Sequence, residues 1–331
     1  MDYDETQESS DRMNLQTMQN RSKGNKYMDY ALQTDRLCKY YRQYHALNGL
    51  TMNVPRGSIY GFVGRNGAGK TTLIRLICGL QKPTSGTFTL SGVHSTQKDI
   101  LNIRRRMGAV VETPSIYLGM SAEDNLKQQY RILGLSSYDG LRELLELVGL
   151  SDTGRKKAKD FSLGMRQRLG IAIALAGSPD FLILDEPVNG LDPQGIIEIR
   201  ELIQKLNRER GITVLISSHI LDELHRLATW YGFIDRGKIV KEMSAEELDA
   251  VCRQYIHITV SNMTALKKVL DARGLGYSVL SEKEADIYDA IGISELTHAL
   301  DAEDCAILSV SQQSESLENY FVSLVGGESH A

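Results

Sequence analysis

The residues Gly64-Arg65-Asn66-Gly67-Ala68-Gly69-Lys70-Thr71 carry the spacing G-x-x-x-x-G-K-[ST]. Glycines at these places let the backbone wrap close to a polyphosphate, so that its N–H groups point inward. In this pattern Lys70 bridges the β- and γ-phosphates and the Thr71 hydroxyl ligates Mg²⁺. The flanks raise the pattern above an ordinary glycine-rich turn. Ser58 to Val63 is a short apolar run of strand character, and Thr72 to Leu80 has helical apolar spacing. A glycine loop between a strand and a helix adds the positive end of the helix to the site.

Two further stretches bear on the same chemistry. Phe181-Leu182-Ile183-Leu184-Asp185-Glu186 is an apolar strand ending in two acids. A buried strand delivers such carboxylates rigidly to the sheet edge where the phosphate loop also sits. Asp185 is then placed to hold Mg²⁺, and Glu186, one step on, to orient and deprotonate an attacking water. Phe161-Ser162-Leu163-Gly164-Met165-Arg166-Gln167-Arg168 precedes a long apolar helix. Ser162 is a good cap and Gly164 leaves N–H groups uncovered, which makes a second anion-binding helix start in one chain.

The elements that must position these residues alternate. From Ala31 the pattern is strand-like up to the phosphate loop. Strands are expected at 87–90, 107–111, 181–184 and 212–216, with helices at 102–106, 122–133, 140–148, 165–176 and 196–210. Strand–helix alternation implies a largely parallel sheet covered by helices. A strand pair, 231–235 and 238–242, turns at Arg236-Gly237. Residues 1–30 are polar with little aliphatic periodicity and read as a disordered tail, with Met28 an alternative start. After Glu242 the character changes, and 244–331 read as a small α+β accessory domain with a strand at 255–260, a helix at 263–273, further strand-like pieces, and a helix at 317–325.

Composition narrows the class. Charged residues at 24% and hydrophobic ones at 42% are those of a globular chain of 331 residues, long enough for one large domain and a smaller one. A net charge of −4 gives no footprint for nucleic acid. Cys38, Cys78, Cys252 and Cys305 are scattered without a C-x-x-C pair, which fits a reducing compartment. No apolar run approaches a membrane span, so a membrane role requires another chain to supply it. The charge runs Arg104–Arg106 and Arg155–Lys157 read as solvated faces.

With three motifs in order, the chain resembles the nucleotide-binding subunit of an ATP-binding-cassette (ABC) transporter over residues 35–240. Ser162 and Gly164 keep the phosphate-contacting places of that family's Leu-Ser-Gly-Gly-Gln signature, while Leu163 stands for a glycine and Met165 for the glutamine. The resemblance implies a fold: an α/β P-loop NTPase cassette over 31–243, with a mostly parallel sheet and a helical subdomain at about 116–178, followed by the accessory domain. It implies ATP and Mg²⁺ as cofactors. It assigns Gly64, Arg65, Asn66, Gly67, Ala68, Gly69, Lys70, Thr71 and Thr72 to the phosphates, and Thr71 and Asp185 to the metal. It gives catalysis to Glu186 and to His219, the switch histidine. Asp192 falls in the loop that crosses a dimer interface. Tyr41 resembles the aromatic that stacks on adenine, with Tyr40 and Tyr44 as competitors.

Glu112 stands where the family usually has glutamine. A glutamate there is similar to subunits that export or expel lantibiotics and bacitracin-like peptides, a subgroup that often shares the Ser-Leu-Gly-Met signature and a C-terminal run like Glu315 to Phe321. The resemblance therefore implies an ATPase on the cytoplasmic face of the membrane, working with an integral membrane permease. It would act as a homodimer or with a paired ABC ATPase, and without nucleic acid. Residues 112–126, with Tyr117 and Leu118, are the expected docking groove. Two other readings stay open: an antibiotic-sensing ABC module, and a soluble ABC ATPase of translation or DNA maintenance. Against the last, the chain has one phosphate loop, and only about 90 residues, without sustained heptads, separate it from the signature.

Overall fold

The computed structural model describes residues 29–252, 254–289, 291–314 and 317–326. Residues 1–28 of the expected tail, and Glu315 and Ser316 of the C-terminal run, lie outside the described residues. Tyr30, placed in the tail by its polar surroundings, instead opens a strand.

Strands β1 (Tyr30–Tyr41), β2 (Tyr44–Pro55), β4 (Ser85–Leu90) and β5 (Val93–His94) form an antiparallel sheet in the order β2-β1-β4-β5. The β1–β2 pairing slips register several times, once beside Arg36, whose backbone is left-handed at φ 46°. The central sheet comprises β3 (Ile59–Val63), β6 (Met107–Val110), β7 (Phe181–Asp185), β8 (Thr213–Ser218), β9 (Trp230–Asp235) and β10 (Lys238–Ser244). Its order is β10-β9-β3-β8-β7-β6, parallel throughout except for the β9–β10 hairpin.

The centre of this sheet is buried on both faces, which is why β7 and β8 read as continuous apolar runs rather than alternations. Leu182, Leu184, Val214 and Ile216 face one core, shared with the helices α3 (Ala122–Leu133), α5 (Leu163–Leu175) and α6 (Pro193–Arg210). Ile183 and Leu215 face a second core, closed by the antiparallel sheet and by α1 (Lys70–Ile77) through Leu73, Ile74 and Ile77. The helices α3, α4 (Leu141–Leu147) and α5 pack together beside the sheet. Arg104, in α2 (Ile100–Arg105), departs from the solvated reading of its charge run. Its guanidinium donates to the carbonyls of Ile77 (2.8 Å) and Leu76 (3.3 Å) at the end of α1, where a cation favours the helix dipole.

Glu242 staples three strands of the cassette. Its carboxylate accepts from the Tyr60 hydroxyl at 2.6 Å and the Asn53 N–H at 2.8 Å. Burial nevertheless pushes this carboxyl above the usual range, with the hydrogen bonds opposing the shift.

Beyond α7 (Leu221–His225) and α8 (Ala245–Val251), a third sheet stands apart with its own core. Its order is β12 (Tyr277–Val279), β13 (Glu284–Ile287), β11 (Gln254–Val260), β14 (Ile307–Ser314), all antiparallel. With α9 (Met263–Ala272) and α10 (Ile293–Asp301) the chain runs β-α-β-β-α-β, a ferredoxin-like unit. The last helix, α11 (Leu317–Gly326), leaves this unit and buries Leu317 and Phe321 in the cassette core. Among the described residues no helix is long and apolar enough to cross a membrane.

Candidate functional site

The carboxyl ends of β3, β7 and β8 lie side by side, with Val63 in register with Ser218 and Asp185 with Ser217. This edge gathers the phosphate loop from β3, the acids from β7 and the polar pair Ser217-Ser218 from β8. Gly69 has φ 114°, and a Cβ there would lie 2.5 Å from the Ala46 carbonyl oxygen, so only glycine fits this turn. Lys70 is 6% exposed, and its Nζ donates to the Gly64 carbonyl at 2.6 Å, with the Arg65 carbonyl at 3.4 Å. The ammonium is thus held over the loop by the loop's own carbonyls.

Asp185 is fully buried. The Ser217 hydroxyl donates to its Oδ1 at 2.6 Å, while Oδ2 has no hydrogen-bond partner among the described residues. A buried unpaired carboxylate oxygen is expensive. The Thr71 hydroxyl lines the neighbouring cleft, which Asp185 itself does not; together the two would make an all-oxygen donor set suited to a hard cation. Glu186 has a left-handed backbone, φ 51°, and its N–H donates to Ser217 O at 3.1 Å and Ser217 Oγ at 3.0 Å. Strain of this kind persists only where surroundings over-determine it, and it clusters at functional sites. The turn aims the Glu186 carboxylate between two nitrogen-bearing side chains, Lys70 and His219. Its Oε1 lies 3.4 Å from Lys70 Nζ and its Oε2 lies 2.7 Å from His219 Nδ1.

A cleft of about 230 Å³ joins Arg65, Asn66, Gly67, Gly69, Lys70, Thr71 and Thr72 of the loop to Glu186 and His219. Other residues expected at the site stand elsewhere in the single chain. Tyr41 lies at the hairpin tip, 41% exposed, with its hydroxyl on Gln81 and Lys39 over its ring. Its register partner Tyr44 lines the cleft instead and donates to the Gly67 carbonyl at 2.9 Å. Glu112 (φ 60°) pairs with Arg75 at 2.7 Å and lines a separate groove of about 390 Å³ with Val111, Thr113 and Pro114. Ser162 caps α5, accepting from the Met165 N–H at 3.2 Å, and Asp192 caps α6, accepting from Gly195 N–H at 3.0 Å. Ser162, Gly164 and Asp192 do not line the cleft. Reading the sequence also missed Ser217, which orients both acids, and Asn189, which lines the cleft. The polar pair closing an apolar strand was the available signal for Ser217.

The sequence profile of the family described as ABC transporter matches residues 47–189. The bacitracin transport ATP-binding protein BcrA of Bacillus licheniformis is 40% identical over 305 residues, 91% of this chain and 99% of the relative. The chain belongs to the ABC transporter family. It is an ATP-binding, ATP-hydrolysing subunit built on the P-loop cassette fold. The lantibiotic transport ATP-binding protein SrtF of Streptococcus pyogenes is 45% identical over 211 residues, 64% of this chain and 90% of the relative. The dimeric structure of the bacterial ABC transporter cassette MJ0796 aligns at TM-score 0.59 with 26% identity, covering 65% of this chain and 98% of that one.

Proposed function

We propose that this ABC ATPase energises export of a peptide antibiotic of the bacitracin or lantibiotic type through a separate integral membrane permease. It works at the cytoplasmic face of the membrane, as a dimer. The observation that carries the catalytic part is the Lys70–Glu186–His219 cluster beside the unpaired Asp185 Oδ2. The likeness to BcrA and SrtF supports the cargo.

Bound nucleotide exchanges the Lys70 ammonium from loop carbonyls to phosphate oxygens, a charge-assisted contact stronger than the neutral one it replaces. The exchange frees Glu186 Oε1 to accept a proton from the attacking water, while His219 holds Oε2 and fixes the carboxylate's direction. Thr71 and Asp185 would hold Mg²⁺, which supplies positive charge to the phosphate oxygens. Tyr41, at the hairpin tip, is our candidate for stacking on adenine, with Tyr44 as its rival. Donors on the far side of the γ-phosphate come from Ser162 and Gly164 of a second copy or of a paired ATPase. This demands a head-to-tail dimer with nucleotide at the interface. The groove beside Glu112, flanked by the half-exposed Tyr117 and Leu118, is the docking surface for the permease.

The deciding experiment is affinity purification of the Glu186→Gln form with MgATP from detergent-solubilised membranes of its native host. Recovery of a polytopic membrane protein supports the transporter reading and hands over the route to its cargo. Recovery of ribosomal or DNA-associated proteins overturns it.

A further inference from the structure

The accessory unit hangs from the cassette by two anchors, α8 before it and α11 after it, whose Leu248, Leu317 and Phe321 all sit in the cassette core. The second anchor lands behind the nucleotide cleft. Phe321 is 6% exposed and stacks on Phe233 with ring centroids 6.1 Å apart. Tyr320 meets the same ring edge-on at 5.9 Å. Phe233 lies on β9, in register with Val63, the residue immediately before the phosphate loop.

There is no slack between β9 and that loop. A Cβ added to Gly64 would lie 2.5 Å from Ile234 Cγ2 and 2.7 Å from the Ile234 carbonyl oxygen. Gly64 also supplies the carbonyl that holds Lys70. On its other side α11 packs on α7, the helix that follows His219. Between α11 and the cleft lies a cavity of about 330 Å³, walled by Val63, Arg65, Asn66, His219, Phe321 and Val322. One ten-residue helix therefore touches both the strand that seats the phosphate loop and the segment that carries His219.

We infer that Phe321, with the helix around it, is a positioning residue for ATP hydrolysis: it locks the phosphate-loop seat and the His219 segment into one block, and so ties turnover to the placement of the accessory unit. Close-packed interiors transmit such constraints because displaced atoms have nowhere to go. A displacement well under an ångström suffices, since catalytic geometry tolerates little misplacement. The inference rests on the assignment of the cleft as the hydrolysis site.

The test uses the full-length purified chain and reads MgATP affinity, KM, kcat and thermal melting together. Phe321→Ala removes the stacked ring; Phe321→Leu keeps apolar burial without it. Val322→Trp, at a residue 53% exposed, fills the cavity towards His219 without touching the core. The expected result is a kcat about tenfold lower or less in Phe321→Ala and about fivefold lower in Val322→Trp, with nucleotide affinity within about twofold and Phe321→Leu intermediate. A kcat that falls only with the folded fraction, or stays at the wild-type value, overturns the inference. Should Phe321→Ala fail to fold, Val322→Trp decides. Lys70→Ala separates the two failures. If it binds and hydrolyses ATP normally, the cleft assignment fails and this inference with it. If it is inactive while the α11 variants are normal, the positioning role alone is lost.

Discussion

Two helix starts in this chain, which the proposed head-to-tail dimer would bring onto nucleotide from opposite sides, are built in opposite ways. At α1 the chemistry is assembled in the isolated chain: Glu186 reaches Lys70 at 3.4 Å and His219 at 2.7 Å, and Lys70 is buried. At α5 the start of the helix is open. Ser162 spends its side chain on capping Met165 N–H, and Leu163, where the family signature has glycine, is 42% exposed. The first half-site is preorganised by its own sheet edge, and preorganised charge is what lowers a barrier. On the proposed reading, the second gains its partner only by association. ATP binding and dimer formation are then one event at α5 and two at α1, and substitutions should separate them.

The sharpest break is Glu186→Gln, which keeps the shape of the α1 half while removing its base. Turnover should fall by a factor of about 10² to 10⁴ with ATP still bound, and an ATP-loaded dimer should accumulate in size-exclusion chromatography. Near-normal hydrolysis would remove Glu186 from the base role. Lys70→Ala comes next. It deletes a charge-assisted contact of about 1.5–3 kcal/mol, so nucleotide affinity of the single chain should drop by roughly tenfold or more, read by calorimetric titration. An unchanged affinity would dismantle the phosphate-loop assignment.

Ser162→Ala probes the other half. Loss of the cap should cost about 1 kcal/mol of stability, while single-chain ATP affinity stays at the wild-type value. Turnover, measured against protein concentration, should lose its dimer-dependent rise. If Ser162→Ala instead weakens ATP binding at high dilution, the division between the two half-sites is wrong.

How much of this was legible beforehand follows from where the information lies. The phosphate loop, β7 and β8 could be read because local chemistry fixes them: a strand buried on both faces has to be apolar throughout, and a phosphate cradle has to have glycine where a Cβ would strike Ala46 O. Tyr44 was harder. Whether Tyr41 or Tyr44 faces the loop depends on a tight turn at Arg42, φ 57°, and on register slips along β1 and β2 that no spacing announces. In α10, Ile293, Leu296 and Leu300 carry helical spacing, but the segment is short and was not singled out among the pieces of the accessory domain. A helix at 317–325 was expected and one stands at Leu317–Gly326, but its destination was not. Amphipathic spacing says that a face must be buried and is silent on what buries it.

The smallest effect tests a carboxylate of the opposite kind to Glu186. Glu242 is half-buried and bound to Tyr60 and Asn53, with no contact to the cleft's charged groups. Burial raises its pKa, so over a window beginning near about pH 4.3, its unfolded value, the folded chain keeps a proton that the unfolded chain has lost. Stability therefore declines as pH rises through that window to the raised folded value, because the folded state there binds more protons. Glutamine reproduces the protonated carboxyl, and its carbonyl oxygen can still accept from both Tyr60 and Asn53. Glu242→Gln should match the wild type near pH 4 and be slightly more stable at pH 7, by less than about 1 kcal/mol after solvent screening, with ATP turnover unchanged. Denaturant melts at the two pH values check this. A variant clearly less stable at pH 7 would mean that the Glu242 charge stabilises the three-strand staple, its two donors outweighing its burial.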